Sequence, residues 1–419
     1  MSAKAKKSPQ EDQLVCLKLV RAVLPFCDSL KTPGKAHGNL QLQITDALIV
    51  LLCAFFNPTV RSLRLIEQLS VMPWVQQHID LQRICRSTLS DGLARFNPEA
   101  LVPLINALMA QMPLLHNNDR DLASLCKRII AGDGSHFNLA ADVAWALMRS
   151  RGGKNPAKHG YCRLNLQLDV DHFVPCDLSV SGREEGSEAA AFLKRIIGGV
   201  IYLFDRNFVH FGLINTVLAR GSDFVLRLRK DTGFEEQAQR PLTARDTEEG
   251  VISDRIGILP GASGGRTGPP PSHKLREVII NGDDGKPVRL LTNLLEVPAY
   301  VIGALYRRRW IIELFFRWLK VWGGFKHLMS HSQKGVTFNF YVAVIACLLM
   351  HVRTGRKVNK YSLFLFGQVA AGLISLEAIL PLLERIEREK ELERQRLARK
   401  KARKMLAAEA LKSPTQLPG

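Results

Sequence analysis

Apolar positions in the first hundred residues recur at helical spacing. Leu14, Leu17, Leu19, Val20, Val23 and Leu24 predict one helix, and residues 44–56 read as a buried apolar segment stopped by Asn57-Pro58. Residues 59–69 predict a short amphipathic helix. In the segment 85–96, Ser87 reads as an N-cap and Ser, Thr and Arg share one face. That face suits DNA phosphates or base edges, and equally an ordinary capped surface helix.

From about Cys126 the rhythm becomes that of strands. Residues 127–133 read as a short strand ending in the carboxylate of Asp133, and 163–170 and 173–180 as adjacent strands around an Asp171-His172 turn. A helix over 185–197 precedes the apolar strand 200–204, which ends at Asp205. A helix over 209–218 leads to a strand over 223–229. This β-β-β-α-β-α-β order predicts an α/β mixed sheet. Residues 230–289 break the order with a Gly/Pro-rich stretch and strand-like pieces at 250–259 and 274–280, a β-rich insertion. The strand pattern resumes at 288–295, Pro298 opens a long helix to about Trp322, and apolar helical segments continue to Leu383. The domains expected are a helical DNA-binding region (1–125), a core in two parts (126–229 and 290–350) around the insertion (230–289), a C-terminal helical region (351–383) and a basic tail (384–419).

Composition narrows the function. Over 419 residues, 58 Lys+Arg against 39 Asp+Glu give a formal net charge of +19, which points to a polyanionic partner, nucleic acid before membrane surface. A 46% hydrophobic fraction supports a sizeable core and excludes a disordered chain. The longest uncharged apolar runs, ten residues at 47–56 and eleven at 340–350, fall short of the roughly 18–20 needed to span a bilayer. No secretory signal is expected from the first residues, which have no apolar stretch behind their lysines. The eight cysteines are scattered without a C-x-x-C pair and read as reduced cysteine, several in apolar settings, not as a disulfide frame or zinc site.

The candidate chemistry lies in carboxylates. At 100° per residue, Tyr306, Arg309, Glu313, Arg317 and Lys320 fall within an arc of about 80° on one helix, with Ile312, Phe315, Phe316 and Leu319 facing a core. Alone, such a helix can be explained by i,i+4 ion pairs. Asp133 and Asp205 change that balance, because acids at the ends of apolar strands sit where α/β folds place ligands, although either one can also be a turn former or cap. Two aspartates and a glutamate can converge on hard divalent cations, which take oxygen ligands and can clamp an in-line phosphodiester displacement. His136, His331, Asp169 and Asp171 have structural readings that suffice; His327 does too, and Asp142, Asp177 and Glu188 lack any motif context.

Tyr306, Arg309, Glu313 and Lys320 fit the spacing Y-x2-R-x3-E-x6-K. With Asp-Gly-Ser at Asp133, Asp-Arg-Asn-Phe at Asp205, Leu291-Thr292-Asn293 and Lys158-His159-Gly160, the chain resembles bacterial insertion-sequence DDE transposases of the "insertion-sequence four" type over about residues 126–350. The resemblance implies a ribonuclease H-like mixed-sheet catalytic core with a β-rich insertion, flanked by helical N- and C-terminal regions. It implies a metal-dependent triad of Asp133, Asp205 and Glu313, holding Mg²⁺ or Mn²⁺, two ions per site. Tyr306 and Arg309 would grip DNA near the cleavage point, Lys320 would contact phosphate, and Arg317 is placed with them. The implied partners are terminal inverted repeats and target DNA, held by a homodimer in a synaptic complex with no membrane, in a bacterial cytoplasm at the nucleoid. The rivals are a catalytically silent DNA-binding descendant and a metal-dependent nuclease without strand transfer.

Overall fold

The structure, a computed structural model, describes residues 19–30, 42–112 and 122–410, apart from 58, 61, 78, 80, 123–124, 141–142, 151–157, 184–185, 262–267, 283–284, 323–327 and 371–372. Its N-terminal part is helical, as the apolar spacing predicts in outline: α1 (Leu24–Leu30), α2 (Ile44–Phe56), α3 (Leu63–Ser70), α4 (Arg86–Arg95) and α5 (Val102–Ala110), although residues 21–23 of the helix expected over 14–24 form a turn and α1 starts where that helix was expected to end. α2 is buried along nearly its whole length. The Asp46 carboxylate accepts the Gln43 N–H (3.0 Å) at its start, and Asn57 donates to the Cys53 carbonyl (2.6 Å) at its end. Ser87 is not a cap. α4 begins at Arg86, with Cys85 at the cap position and no side-chain bond there.

The sheet then builds from β1 (Arg128–Leu139), β2 (Leu147–Ser150), β3 (Lys158–Asp169) and β4 (Val174–Ser181), followed by α6 (Glu188–Leu193), β5 (Val200–Phe204), α7 (Phe211–Ala219) and β6 (Asp223–Arg227). After it come β7 (Glu235–Gln239), α8 (Ala244–Glu248), β8 (Val251–Ile258), β9 (Leu275–Asn281) and β10 (Pro287–Thr292). All ten strands join one mixed sheet in the order β2-β3-β1-β5-β6-β10-β9-β8-β7, with β4 on β3. β5 is parallel to β1 and β6, and the other pairs are antiparallel. Over β5, Phe192, Phe204, Phe208, Phe211 and Phe224 form an aromatic core that seats α6 and α7.

Two details differ from the strand pattern. Asp133 does not end β1, because β1 runs on to Leu139 against β3 after its partner β5 stops at Phe204. The strands of the β-rich insertion also continue the core sheet, a pairing the strand pattern does not specify. β9 pairs with β10, so β8 and β7 extend the core sheet outward.

The long helix opened by Pro298 is segmented. α9 (Ala299–Arg308) gives way at Arg309 to α10 (Trp310–Arg317), and Trp318–Trp322 closes it as a π-helical turn. At the junction Arg309 N–H bonds Tyr306 and Ile312 N–H bonds Arg309, three residues apart rather than four. α10 packs on β1, and α11 (Gln333–Thr354) packs on β4, α2, α4 and α5. By length and composition α11 is apolar enough to cross a membrane, but its apolar window is 89% buried inside the protein, which makes it the central core helix.

The chain divides into two compact units, one of them Cys16–Asn359. The described part of the other begins at Lys360, with α12 (Lys360–Ala370) and α13 (Ile379–Ala410). Residues 384–404 are therefore helical, and i,i+4 pairs such as Arg385–Glu389 (2.9 Å) line their exposed surface.

Candidate active site

The parallel register sets the site. Gly132 faces Phe204 across β1 and β5, so the next residue on each chain, Asp133 and Asp205, emerge side by side where β5 ends. Asp133 is partly buried, and its Oδ1 accepts the Gly134 N–H at 2.8 Å. Burial, the charge of Asp205 and the charge of Glu188 push its carboxyl up to about 7, against the Gly134 N–H and the Arg309 guanidinium. Asp205 also caps the short turn Arg206–Phe208 by accepting the Asn207 N–H at 2.7 Å. The capping role and a ligand role are compatible, since the cap uses one oxygen.

Arg309 links the aspartates to the helix. Its guanidinium lies 3.7 Å from Asp133 Oδ2 and bonds Glu313 closely, so it stands between those two carboxylates. The same guanidinium lies 5.8 Å from the Tyr306 ring. Burial raises the Tyr306 phenol, while hydrogen bonds to Arg309 and Arg227 oppose that shift. Lys320, on the π-helical turn, places its ammonium 5.1 Å from the Phe137 ring and within electrostatic reach of Asp133; burial lowers its pKa. Arg317 is exposed. Tyr306, Arg309, Glu313 and Lys320 are partly buried, whereas Arg317, one turn on from Glu313 in α10, stands at the exposed edge of the same helix.

Beside Arg309 lies a cavity of about 310 Å³ lined by Arg227, Asn281, Tyr306, Arg307, Arg309 and the half-exposed Trp310, among others. Cations and aromatic faces in one hollow suit a phosphate and a nucleobase together.

The other candidates separate cleanly. Asp169 pairs with Arg128 (2.8 Å) and His172 (2.9 Å), Asp171 with Arg308 (2.7 Å) and Asp177 with Arg195 (2.6 Å), so these acids tie the β3–β4 hairpin to its surroundings. His136 stacks edge-on against Tyr161, and the His331 carbonyl accepts the Trp145 indole N–H. Asp142 and His327 lie outside the described residues. Glu188, with no motif of its own, is the residue that sequence reasoning passed over: its charge reaches both Asp133 and Asp205. Arg227 was missed as well, since only the fold brings β6 beside Tyr306.

Among the described residues, no three of His, Cys, Asp and Glu close around one point tightly enough to hold a metal ion. The fit to a divalent cation is one of donor chemistry. Asp133, Asp205 and Glu188 are oxygen donors set close enough to repel one another, which with burial raises the Asp133 carboxyl to about 7.

Fold and site together define an α/β protein with an acidic centre edged by cations and aromatics. Residues 124–349 match the family described as "Transposase DDE domain", and the chain belongs to it. A Sinorhizobium fredii protein named as a transposase, y4zB, is 26% identical over 190 residues, 45% of this chain and 52% of that protein. A Geobacillus stearothermophilus protein named as the transposase of insertion sequence element IS5377 is 33% identical over 75 residues, 18% of this chain and 20% of that protein. The chain thus matches about half the length of the first relative and a fifth of the second. A solved piggyBac transposase synaptic complex with hairpin DNA aligns with 97% of this chain and 86% of that one at 13% identity and a TM-score of 0.37, too distant to argue from.

Proposed function

We propose that the protein is a DNA transposase of the "insertion-sequence four" type, which binds the terminal inverted repeats of its element, cleaves the ends and joins their 3′-hydroxyls to target DNA. The observation that carries this reading is the register that sets Asp133 beside Asp205, with Arg309 joining Asp133 to Glu313 of the Tyr306–Lys320 helix. Asp133, Asp205 and Glu313 would hold Mg²⁺ or Mn²⁺, two ions per site. Bound there, such ions activate the attacking water or hydroxyl and stabilise the leaving 3′-oxygen of a phosphodiester.

The chain's own groups do the positioning. Arg309 neutralises the carboxylates when DNA is absent, and a phosphate can take over its charge when DNA arrives. Lys320 offers its ammonium to the backbone next to Asp133. Tyr306, Arg227 and Trp310 line the hollow that receives the end of the DNA. The helical region before Cys126 recognises the repeats, the strands between 230 and 289 form an insertion module, and the 384–419 tail is a non-specific arm. Two copies act on the paired ends, in a bacterial cytoplasm at the nucleoid.

A labelled DNA carrying the flanking repeats of the gene tests the proposal. Protein with Mg²⁺ is expected to give both cleaved ends and products joined to a second DNA. Cleavage without joining would make it a nuclease, and binding without cleavage a silent descendant.

A further inference from the structure

The turn between β3 and β4 carries no member of the triad, yet it holds the Glu313 helix at two points. Asp171 Oδ1 pairs with Arg308 Nη2 at 2.7 Å, at the last residue of α9 and directly before the break at Arg309. Beyond the break, the Phe173 ring meets the Phe315 ring edge-on with centroids 5.7 Å apart, and Phe315 lies just past Glu313 on α10. Both rings are buried. One contact thus grips each side of the junction across which Arg309 reaches Glu313.

The turn itself is fixed to the strand of Asp133. The Val170 N–H donates to the Ile129 carbonyl (3.0 Å), and Arg128 donates to Asp169 Oδ2 (2.8 Å). Asp169 Oδ1 accepts the N–H groups of Asp171 (3.1 Å) and His172 (3.0 Å), which folds the turn back on the end of β3. Phe173 adopts a φ of 57°, a left-handed backbone that residues other than glycine rarely take, and from there its ring reaches Phe315. Arg308 Nη1 is buried without a hydrogen-bond partner among the described residues, so the Asp171 carboxylate is what anchors that guanidinium. Between the two contacts lie the three-residue bonds of the junction, where a helix bends most readily.

We propose that this turn is a clamp that sets the Glu313 helix against the strand of Asp133, with Asp171 a positioning residue that acts through Arg308. The proposal rests on the transposase reading above for the reaction that Glu313 serves.

Hydrogen exchange of the full chain, read by mass spectrometry, tests the clamp without recourse to activity. In Asp171→Asn the amides of α10 are expected to exchange about tenfold faster than in the wild type, while those of β5 keep their rate. Exchange of α10 within about twofold of the wild type overturns the inference. Equal acceleration in α10 and β5 overturns it too, since Asp171 would then serve general stability. Arg308→Gln removes the same pair from the other side and is read in the same way if the asparagine variant does not fold.

Cleavage of a labelled element end in Mg²⁺ reads the positioning. Asp171→Asn is expected to cleave about ten- to a hundredfold more slowly while binding the end as the wild type does. The double variant Asp171→Asn, Arg308→Gln is expected to lose no more than the worse single one, because both remove one pair. Wild-type cleavage by Asp171→Asn, or losses that multiply in the double variant, overturns the action through Arg308. If the wild type itself cleaves nothing, the transposase reading falls and the exchange of α10 decides the clamp alone.

Discussion

Asp133 is a carboxyl that burial and its acidic neighbours make slow to ionise as pH rises. Burial, Asp205 and Glu188 raise its pKa from 3.8 to about 7, so the folded chain holds the proton more tightly than the unfolded chain does. The stability this contributes is complete below the unfolded value of 3.8 and is lost as pH rises towards about 7. In EDTA, Asp133→Asn should therefore melt above the wild type at about pH 8, by no more than about 4 kcal/mol. The difference should close as pH falls towards about 4. A difference that does not change with pH would mean that the field of Asp205 and Glu188 is absent. At this scale the sequence was partly legible. Asp133 and Asp205 could be picked out because each follows an apolar run. Glu188 could not, because its contact with Gly134 spans more than fifty residues and depends on where α6 lands on the sheet.

Among the elements, apolar periodicity was a good guide wherever a segment has one buried face. α2, β5 and β9 fall close to their expected bounds. It had nothing to offer for β7, whose five residues Glu-Glu-Gln-Ala-Gln are all exposed and are strand only because β8 pairs with them. It also concealed the breaks at Arg309 and Trp318, since Ile312, Phe315, Phe316, Trp318 and Leu319 are all buried across them. Arg276, on β9, joins the insertion strands to the approach of the Glu313 helix. It is 1% exposed, bonds Asp254 through two nitrogens at 2.7 Å, and donates to the carbonyls of Leu294, Leu295 and Val297 just before α9. Arg276→Met strands Asp254 and frees those carbonyls, so a loss of about 3–5 kcal/mol in unfolding free energy is expected. Denaturant titration checks it, and a loss under about 1 kcal/mol would show that Arg240, also near Asp254, suffices alone.

For the whole molecule, the surplus of 19 positive charges resolves into local roles. Residues 300–330 carry six Lys/Arg against one acid, Glu313, while 384–404 carry ten against five on an exposed helix. The mixed sheet with helical regions before and after it was legible as a class from the order of strands and helices. Its extension to ten strands was not, because the pairing of β9 with β10 joins segments that sequence reads as insertion and core. In the proposed chemistry β1, the end of β5 and α10 supply one acid each, with Arg309 linking Asp133 to Glu313. Cleavage of a labelled element end in Mg²⁺ by Asp205→Asn and Glu313→Gln, scored beside DNA binding by the same preparations, tests the central claim most directly. Both variants are expected to bind the end as the wild type does and to cleave it at least about a thousandfold more slowly, the loss of several kcal/mol of transition-state stabilisation. Cleavage at the wild-type rate by either variant would contradict the assignment of the acidic centre.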